Sequence, residues 1–68
     1  MTGNINETIN ICVEQGGERI DRFLSRDLED LSRSYIQKLL KDGNIEVNGK
    51  PVKANYKLNT LDKIVVNI

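Results

Sequence analysis

The segment SRSYIQKLLKDGNIEVNGK, residues 32–50, restricts the fold more than any other part of the chain because it marks both ends of a helix. Ser32 can accept a hydrogen bond from a free backbone N–H group in the first turn, which makes it the predicted N-cap. Gly43 can take the left-handed conformation that ends a helix, and Lys41 lies in the last turn, where the helix dipole favours a cation. The apolar face of this helix is predicted to consist of Ile36, Leu39 and Leu40.

The same segment continues into a predicted β-hairpin. Ile45 and Val47 alternate with Glu46, the period-two pattern of a strand with one buried face. Asn48-Gly49 follows, and this pair is the strongest two-residue hairpin signal because both residues accept a positive φ. The returning strand is predicted at residues 50–53, a connection at residues 54–61 and a last strand at residues 62–68.

The N-terminal part of the chain predicts one more strand and one more helix. Apolar residues at positions 9, 11 and 13 alternate with polar or small ones, which indicates a strand, and residues 1–7 are predicted to be an N-terminal tail. Apolar residues then recur at positions 20, 23, 24 and 28, the stripe of an amphipathic helix. Arg19, Arg22 and Arg26 fall within about 60° of one another on its polar side. These elements predict an α+β domain, residues 8–68, with two helices on a small, mainly antiparallel sheet.

Length and composition exclude several classes of function. A chain of 68 residues forms one small domain with no room for a deep catalytic cleft. It has no His, which excludes the common zinc-site patterns, and its single Cys12 is predicted to be a small structural side chain on or near the sheet. The longest aliphatic run, residues 64–66, is too short to span a membrane, and residues 1–10 lack the features of a signal peptide, so a cytoplasmic location is expected. No catalytic group, metal site or cofactor is predicted.

The formal net charge of zero conceals an uneven distribution. Residues 1–30 carry three basic and seven acidic residues, whereas residues 31–68 carry seven basic and three acidic ones. On the predicted second helix, an arc of about 140° contains no acid. Its members are Arg33, Ser34, Gln37, Lys38 and Lys41. A basic patch on a neutral molecule suits an anionic partner, and the alternative is an ordinary solvated surface with uneven charge.

Four spaced motifs resemble the S-four RNA-binding domain, named for protein four of the small ribosomal subunit and also called the α-L motif. They are RIDRFLS, LSRSYIQKLLKDGNIEVNGKPV, YKL and DKIVV, in this order, and the resemblance covers residues 17–66. One departure is Leu61, because the family usually has Gly immediately before the closing Asp. The resemblance implies that the second helix and the hairpin bind RNA. The residues implied are Arg33, Gln37, Lys38 and Lys41 for phosphates and sugars, Ser34 and Asn48 for hydrogen bonds, Lys50 on the hairpin, and Arg19 and Arg22 from the first helix.

Few aromatic side chains are left to stack on bases. Phe23 belongs to the apolar stripe of the first helix, so only Tyr35 and Tyr56 remain. Readers of single-stranded RNA stack bases on aromatic rings, and we therefore expect recognition of structured RNA by shape and phosphate contacts. Arg26 and Lys63 are expected to be solubilising surface residues.

The order GGERIDRFL before LSRS is similar to the N-terminal domain of large-subunit ribosomal RNA pseudouridine synthases. This resemblance implies that the chain is a non-catalytic N-terminal part of such an enzyme and binds ribosomal RNA as a monomer. Arg19-Ile20-Asp21 also resembles the Arg-Leu-Asp of the synthase active site, but the Thr-Ser-Gly expected after it is missing. Asp21 is therefore predicted to form a local salt link or a contact within the fold. Two alternatives remain, a free-standing ribosome-associated RNA-binding protein and a protein-interaction module that uses the Ile, Leu and Val surface of its sheet.

Overall fold

A computed structural model describes residues 7–68, which form two α-helices and a four-stranded sheet. In chain order the elements are β1 (Thr8–Cys12), α1 (Ile20–Asp27), α2 (Arg33–Lys41), β2 (Ile45–Val47), β3 (Lys50–Pro51) and β4 (Lys63–Asn67). The strand order is β1-β4-β2-β3, and neighbouring strands are antiparallel. The predicted α+β class is therefore confirmed. Of the predicted tail, residues 1–6 lie outside the described residues, while the carbonyl oxygen of Glu7 accepts a hydrogen bond from the backbone of Ile68.

One face of the sheet packs against both helices. Ile64 and Val66 of β4 pair with Val47 and Ile45 of β2, and all four side chains are buried. The helices contribute Ile20, Leu24, Ile36, Leu39 and Leu40 to the same core. On the opposite face Asn10 and Glu46 flank the half-buried Val65, and Cys12 is exposed at the edge. This alternation of buried and accessible side chains follows from the period of two along each strand.

Both predicted ends of α2 are confirmed. The Ser32 hydroxyl accepts a hydrogen bond from the Tyr35 backbone N–H at 3.1 Å, which satisfies one of the free donors of the first turn. At the other end Gly43 has φ 78°, and the N–H groups of Gly43 and Asn44 donate to the carbonyls of Leu40 and Leu39. This pair of bonds is a Schellman motif, which requires the left-handed conformation that glycine adopts without strain. Helix α2 is therefore fixed by local chemistry at both termini.

The hairpin turn is as predicted, but the strands around it are shorter. Asn48 and Gly49 have φ 53° and 86°, as a two-residue turn of type I′ requires. Strand β3 ends at Pro51, short of the predicted residue 53, because proline has no N–H group with which to continue the ladder. The last strand begins at Lys63, since Asp62 belongs to the preceding turn.

The predicted connection lies against the segment that leads into α1. The Leu58 N–H donates to the Glu18 carbonyl at 2.9 Å, and the Ile20 N–H donates to the Tyr56 carbonyl at 2.8 Å. Arg19 and Lys57 form an isolated antiparallel bridge between these bonds. The connection is thus held by backbone pairing that the sequence pattern did not predict.

Leu61 adopts a backbone conformation that usually belongs to glycine. Its φ is 73°, its side chain is 71% exposed, and its N–H donates to the Val13 carbonyl at 2.7 Å. The backbone bond holds the turn, while the side chain has little burial to offset the strain of the left-handed region. The chain therefore keeps this turn although a leucine occupies the position where the family usually has glycine.

Candidate nucleic-acid interface

The acid-free side of α2 is exposed to solvent. We call it the α2 basic face, and it consists of Arg33, Ser34, Gln37, Lys38 and Lys41, all of which are exposed. Within residues 7–68, ion pairs are formed by Arg19 with Asp21 and by Arg26 with Glu18, and none is formed by a basic residue of α2. The positive charges of α2 are therefore not neutralised by a neighbouring carboxylate in this part of the chain.

A buried carboxylate connects the α2 basic face to the start of α1. Asp21 is only 2% exposed, and it accepts two bonds from the Arg19 guanidinium, from Nε at 3.1 Å and from Nη2 at 3.0 Å. It also accepts from Gln37 Nε2 at 3.1 Å and from the Arg22 backbone N–H at 2.9 Å. The predicted local salt link of Asp21 is confirmed. The same carboxylate brings Arg19 and Gln37, two predicted RNA contacts, next to each other.

The three arginines of the first helical segment do not share one environment. Arg22 is exposed beside the Asp21 network. Arg26 pairs with Glu18 at 2.8 Å, and its guanidinium carbon lies 5.6 Å from the centre of the Phe23 ring. Because a carboxylate and an aromatic ring already hold it, Arg26 presents less free positive charge than Arg22 does.

A second buried carboxylate fixes the tip of the hairpin. Asp62 is 6% exposed and accepts from Asn48 Nδ2 at 2.9 Å, from the Tyr56 hydroxyl at 3.1 Å and from the Asn59 N–H at 2.8 Å. The Asn59 bond lowers the pKa of Asp62, burial opposes this, and the bonds from Asn48 and Tyr56 lower the pKa further. Asn48 also accepts from the Lys63 N–H at 3.0 Å, so both ends of its amide are engaged within the domain. This network was not predicted from the sequence.

A groove of about 710 Å³ separates the end of α2 from the chain that follows β3. We call it the α2 groove, and it is lined by Gln37, Lys38, Leu40, Lys41, Asp42, Val52, Lys53 and Ala54. The structure thus brings Gln37, Lys38 and Lys41 together with Lys53, which was not among the predicted site residues. The only sequence signal was the position of Lys53 between two apolar residues. Of the remaining predicted residues, Arg33 and Ser34 lie in the first turn of α2 and Lys50 begins β3, all three outside this groove.

Two other structural features are absent from residues 7–68. No group of three or more His, Cys, Asp or Glu side chains in this range is arranged to hold a metal ion. No helix in the same range is long and apolar enough to cross a membrane.

Comparison with known proteins agrees with the motifs. The chain is 47% identical over 60 residues to the RNA pseudouridine synthase YlyB of Bacillus subtilis. This alignment covers 88% of the chain and 20% of the relative. It is 42% identical over 65 residues to an RNA pseudouridine synthase of Aquifex aeolicus, covering 94% of the chain and 21% of the relative. Identity to ribosomal large subunit pseudouridine synthase C of Vibrio cholerae is 40% over 58 residues, or 85% of the chain and 18% of the relative. No solved structure matches the chain.

The chain spans about a fifth of the length of these curated relatives. It therefore corresponds to a part of them rather than to a whole synthase, in agreement with the prediction of a non-catalytic fragment of such an enzyme. The family model of the S4 domain matches residues 18–64, a range that contains both helices, the hairpin, both buried aspartates and the α2 groove. The chain belongs to the S4 domain family.

Proposed function

We propose that residues 8–68 are an RNA-binding unit that recognises structured RNA, with ribosomal RNA as the target, through the α2 basic face and the adjoining hairpin. The observation that carries this proposal is the exposed, acid-free side of α2 in a member of the S4 domain family. A lysine and arginine surface without acids favours a polyanion, since each phosphate contact releases condensed counterions. In this proposal the domain acts as a monomer in the cytoplasm.

The residues of the α2 basic face would have different roles. Arg33 presents a planar fork that can bind two phosphate oxygens, whereas Lys38 and Lys41 provide point charges on flexible stems. Ser34 and Gln37 add hydrogen bonds to phosphate or sugar, and the free N–H groups of the first turn of α2 favour an anion.

The flanking residues extend this surface on two sides. Arg19, the residue before α1, and Arg22 extend it at the start of this helix, and of the two it is Arg19 whose guanidinium is paired with the Asp21 carboxylate. Lys50 extends it along the hairpin. Asn48 adds a hydrogen bond through the second N–H of Nδ2 or the second lone pair of Oδ1, which its two internal bonds leave free. The phosphate contacts would thus follow the length of α2 and continue onto neighbouring elements.

We also propose that the domain holds ribosomal RNA for a pseudouridine synthase whose catalytic part lies outside these 68 residues. The support is that its relatives are named RNA pseudouridine synthases, one of them a ribosomal large subunit enzyme, and that the chain matches about a fifth of their length. In that arrangement the isomerisation of uridine belongs to the other part of the enzyme, and this domain contributes affinity.

The test is fluorescence anisotropy with a labelled, structured fragment of ribosomal RNA at two salt concentrations. If about four phosphates are contacted, log affinity falls against log salt with a slope near −3, or roughly 60-fold between 50 and 200 mM. The double variant Arg33→Glu, Lys41→Glu reverses two charges of the α2 basic face and is expected to abolish binding while circular dichroism shows an unchanged fold.

A matched pair of single variants separates the α2 basic face from general charge. Arg33→Gln and Arg26→Gln each remove one guanidinium, but Arg26 is paired with Glu18 on α1. We expect Arg33→Gln to reduce the magnitude of the salt slope by about 0.8 and Arg26→Gln to leave it unchanged. Equal effects of the two variants, or an affinity independent of salt, would contradict the proposed surface.

A further inference from the structure

The α2 groove differs chemically from a plain phosphate-binding surface because its floor is aliphatic. Leu40 is buried and contributes to the core, and Val52 and Ala54 are half-buried and pack against that core. Lys38 and Lys41 stand on one wall and Lys53 on the other, all exposed. A site with an apolar floor and cationic rims fits a ligand that is flat and apolar in one part and anionic in another.

A second groove on the same domain has a similar size but a different charge, so the size of a groove alone does not determine which ligand it binds. Its volume is about 730 Å³, close to that of the α2 groove, but it is lined by Glu14, Glu18 and Asp27, with Arg26 as its basic residue. Arg26 is paired with Glu18 there. An anionic ligand would be repelled from this acidic groove and attracted to the α2 groove, which has three lysines against the single acid Asp42.

We infer that the α2 groove takes the base of an unpaired nucleotide, with its flanking phosphates held by Lys38, Lys41 and Lys53. This inference rests on the proposed RNA-binding function and specifies which element of a structured RNA the domain prefers. Bases in a regular RNA helix are stacked and their faces are covered, so only a bulged or looped nucleotide can place its face on Val52 and Ala54, which the buried Leu40 supports from below. The contact is aliphatic, which fits a domain with few aromatic side chains.

The orientation of Gln37 supports a defined pocket. Its Nε2 is bonded to the buried carboxylate of Asp21, so the amide is held at the edge of the groove by a group of α1. A side chain fixed in this way can hydrogen-bond a base without first losing its own rotational freedom. One edge of the groove is therefore fixed by a contact between the two helices.

The experiment compares two labelled RNA hairpins that are identical except for one unpaired nucleotide, a 2-aminopurine bulge in the middle of one stem. We expect the native domain to bind the bulged hairpin about fivefold more tightly, at the low end of what aromatic stacking provides, and to raise the 2-aminopurine fluorescence as the base leaves the stack. Ala54→Leu fills the floor and is expected to remove this preference while retaining the native affinity for the unbulged hairpin.

Substitutions of exposed lysines keep the inference testable if Ala54→Leu fails to fold. Lys53→Gln removes one rim charge at an exposed position and should reduce the preference for the bulged hairpin. Lys57→Gln changes the same residue type four positions further along the chain, outside the groove, and should leave that preference unchanged.

The outcomes distinguish this inference from the proposed function. Salt-sensitive binding of both hairpins with equal affinity, or a preference that survives Ala54→Leu, overturns the inference and leaves RNA binding in place. Failure of the native domain to bind either hairpin overturns both. Binding of a polyglutamate peptide that Ala54→Leu abolishes, without any preference for the bulge, would assign the groove to an acidic protein segment and would also overturn the inference.

Discussion

Leu61 provides a direct test of the fold, because the effect of its strained backbone on stability can be measured separately from the effect of its side chain. Its φ of 73° lies in the left-handed region, which costs a residue with a side chain about 1–2 kcal/mol. Glycine relieves that cost but loses more backbone entropy on folding, about 0.5–1 kcal/mol. The side chain is 71% exposed, so its removal sacrifices little burial. Leu61→Gly should therefore stabilise the domain by about 0–1.5 kcal/mol, and the midpoint of about 0.75 kcal/mol raises Tm by about 3–6 °C for a domain of this size.

The measurement is urea denaturation at neutral pH, together with thermal melting followed by circular dichroism. Leu61→Ala is the matched control, because it removes most of the side chain but keeps the cost of the positive φ, and its stability should stay within about 0.5 kcal/mol of the native value. Equal stabilisation by alanine and glycine would show that the exposed side chain, rather than the backbone, is unfavourable. Destabilisation by glycine would show that Leu61 makes contacts that its exposure does not reveal.

Two further predictions concern the buried carboxylates. The pKa of Asp62 is lowered in the folded state, so its contribution to stability is complete above its ordinary value of 3.8 and is lost as the pH falls through the lower folded value. In urea unfolding at neutral and acidic pH, the stability of Asp62→Asn should therefore decrease less with acid than the stability of the native domain does. An unchanged acid dependence in the variant would show that the Asp62 carboxylate is not the source of the loss of stability in acid. Asp21→Ala removes three hydrogen bonds from side chains and one from the backbone, and it should destabilise the domain by about 2 kcal/mol. The control Asp27→Ala, at an exposed position in the last turn of α1, should change stability by less than about 0.5 kcal/mol. Similar losses of stability in both variants would contradict the role of the Asp21 network.

The elements that could be predicted from the sequence are those whose signals are local. The Ser32 cap, the Gly43 end of α2 and the Asn48-Gly49 turn each depend on the conformational preferences of one or two residues. The face of α2 follows from the 3.6-residue period alone, so the set of its exposed polar residues could also be predicted. Whether those residues contact RNA remains a prediction.

The parts that could not be predicted depend on contacts between residues far apart in the chain. Asp21 and Gln37 are 16 positions apart, and Asn48 and Asp62 are 14 apart, so no local pattern identifies either bond. The α2 groove likewise requires the end of α2 and the chain after β3 to lie side by side. Lys53 was predicted to belong to a strand, but β3 ends at Pro51 and Lys53 lies on the wall of this groove.

The uneven charge of the sequence has a spatial counterpart in the strand order. Strands β1 and β3 are the two edges of the sheet. The acidic groove, lined by Glu14, Glu18 and Asp27, borders β1, whereas the α2 groove borders the chain that follows β3. Acidic residues also line a smaller groove beside the β1 edge, with Glu7, Asp27, Glu29 and Asp30 at its rim. A polyanion is therefore attracted to one edge of the domain and repelled from the other, although the formal net charge is zero. In the proposed function, such a distribution orients a structured RNA on the α2 side. Because attraction and repulsion offset each other at a distance, it also limits nonspecific adhesion elsewhere on the surface.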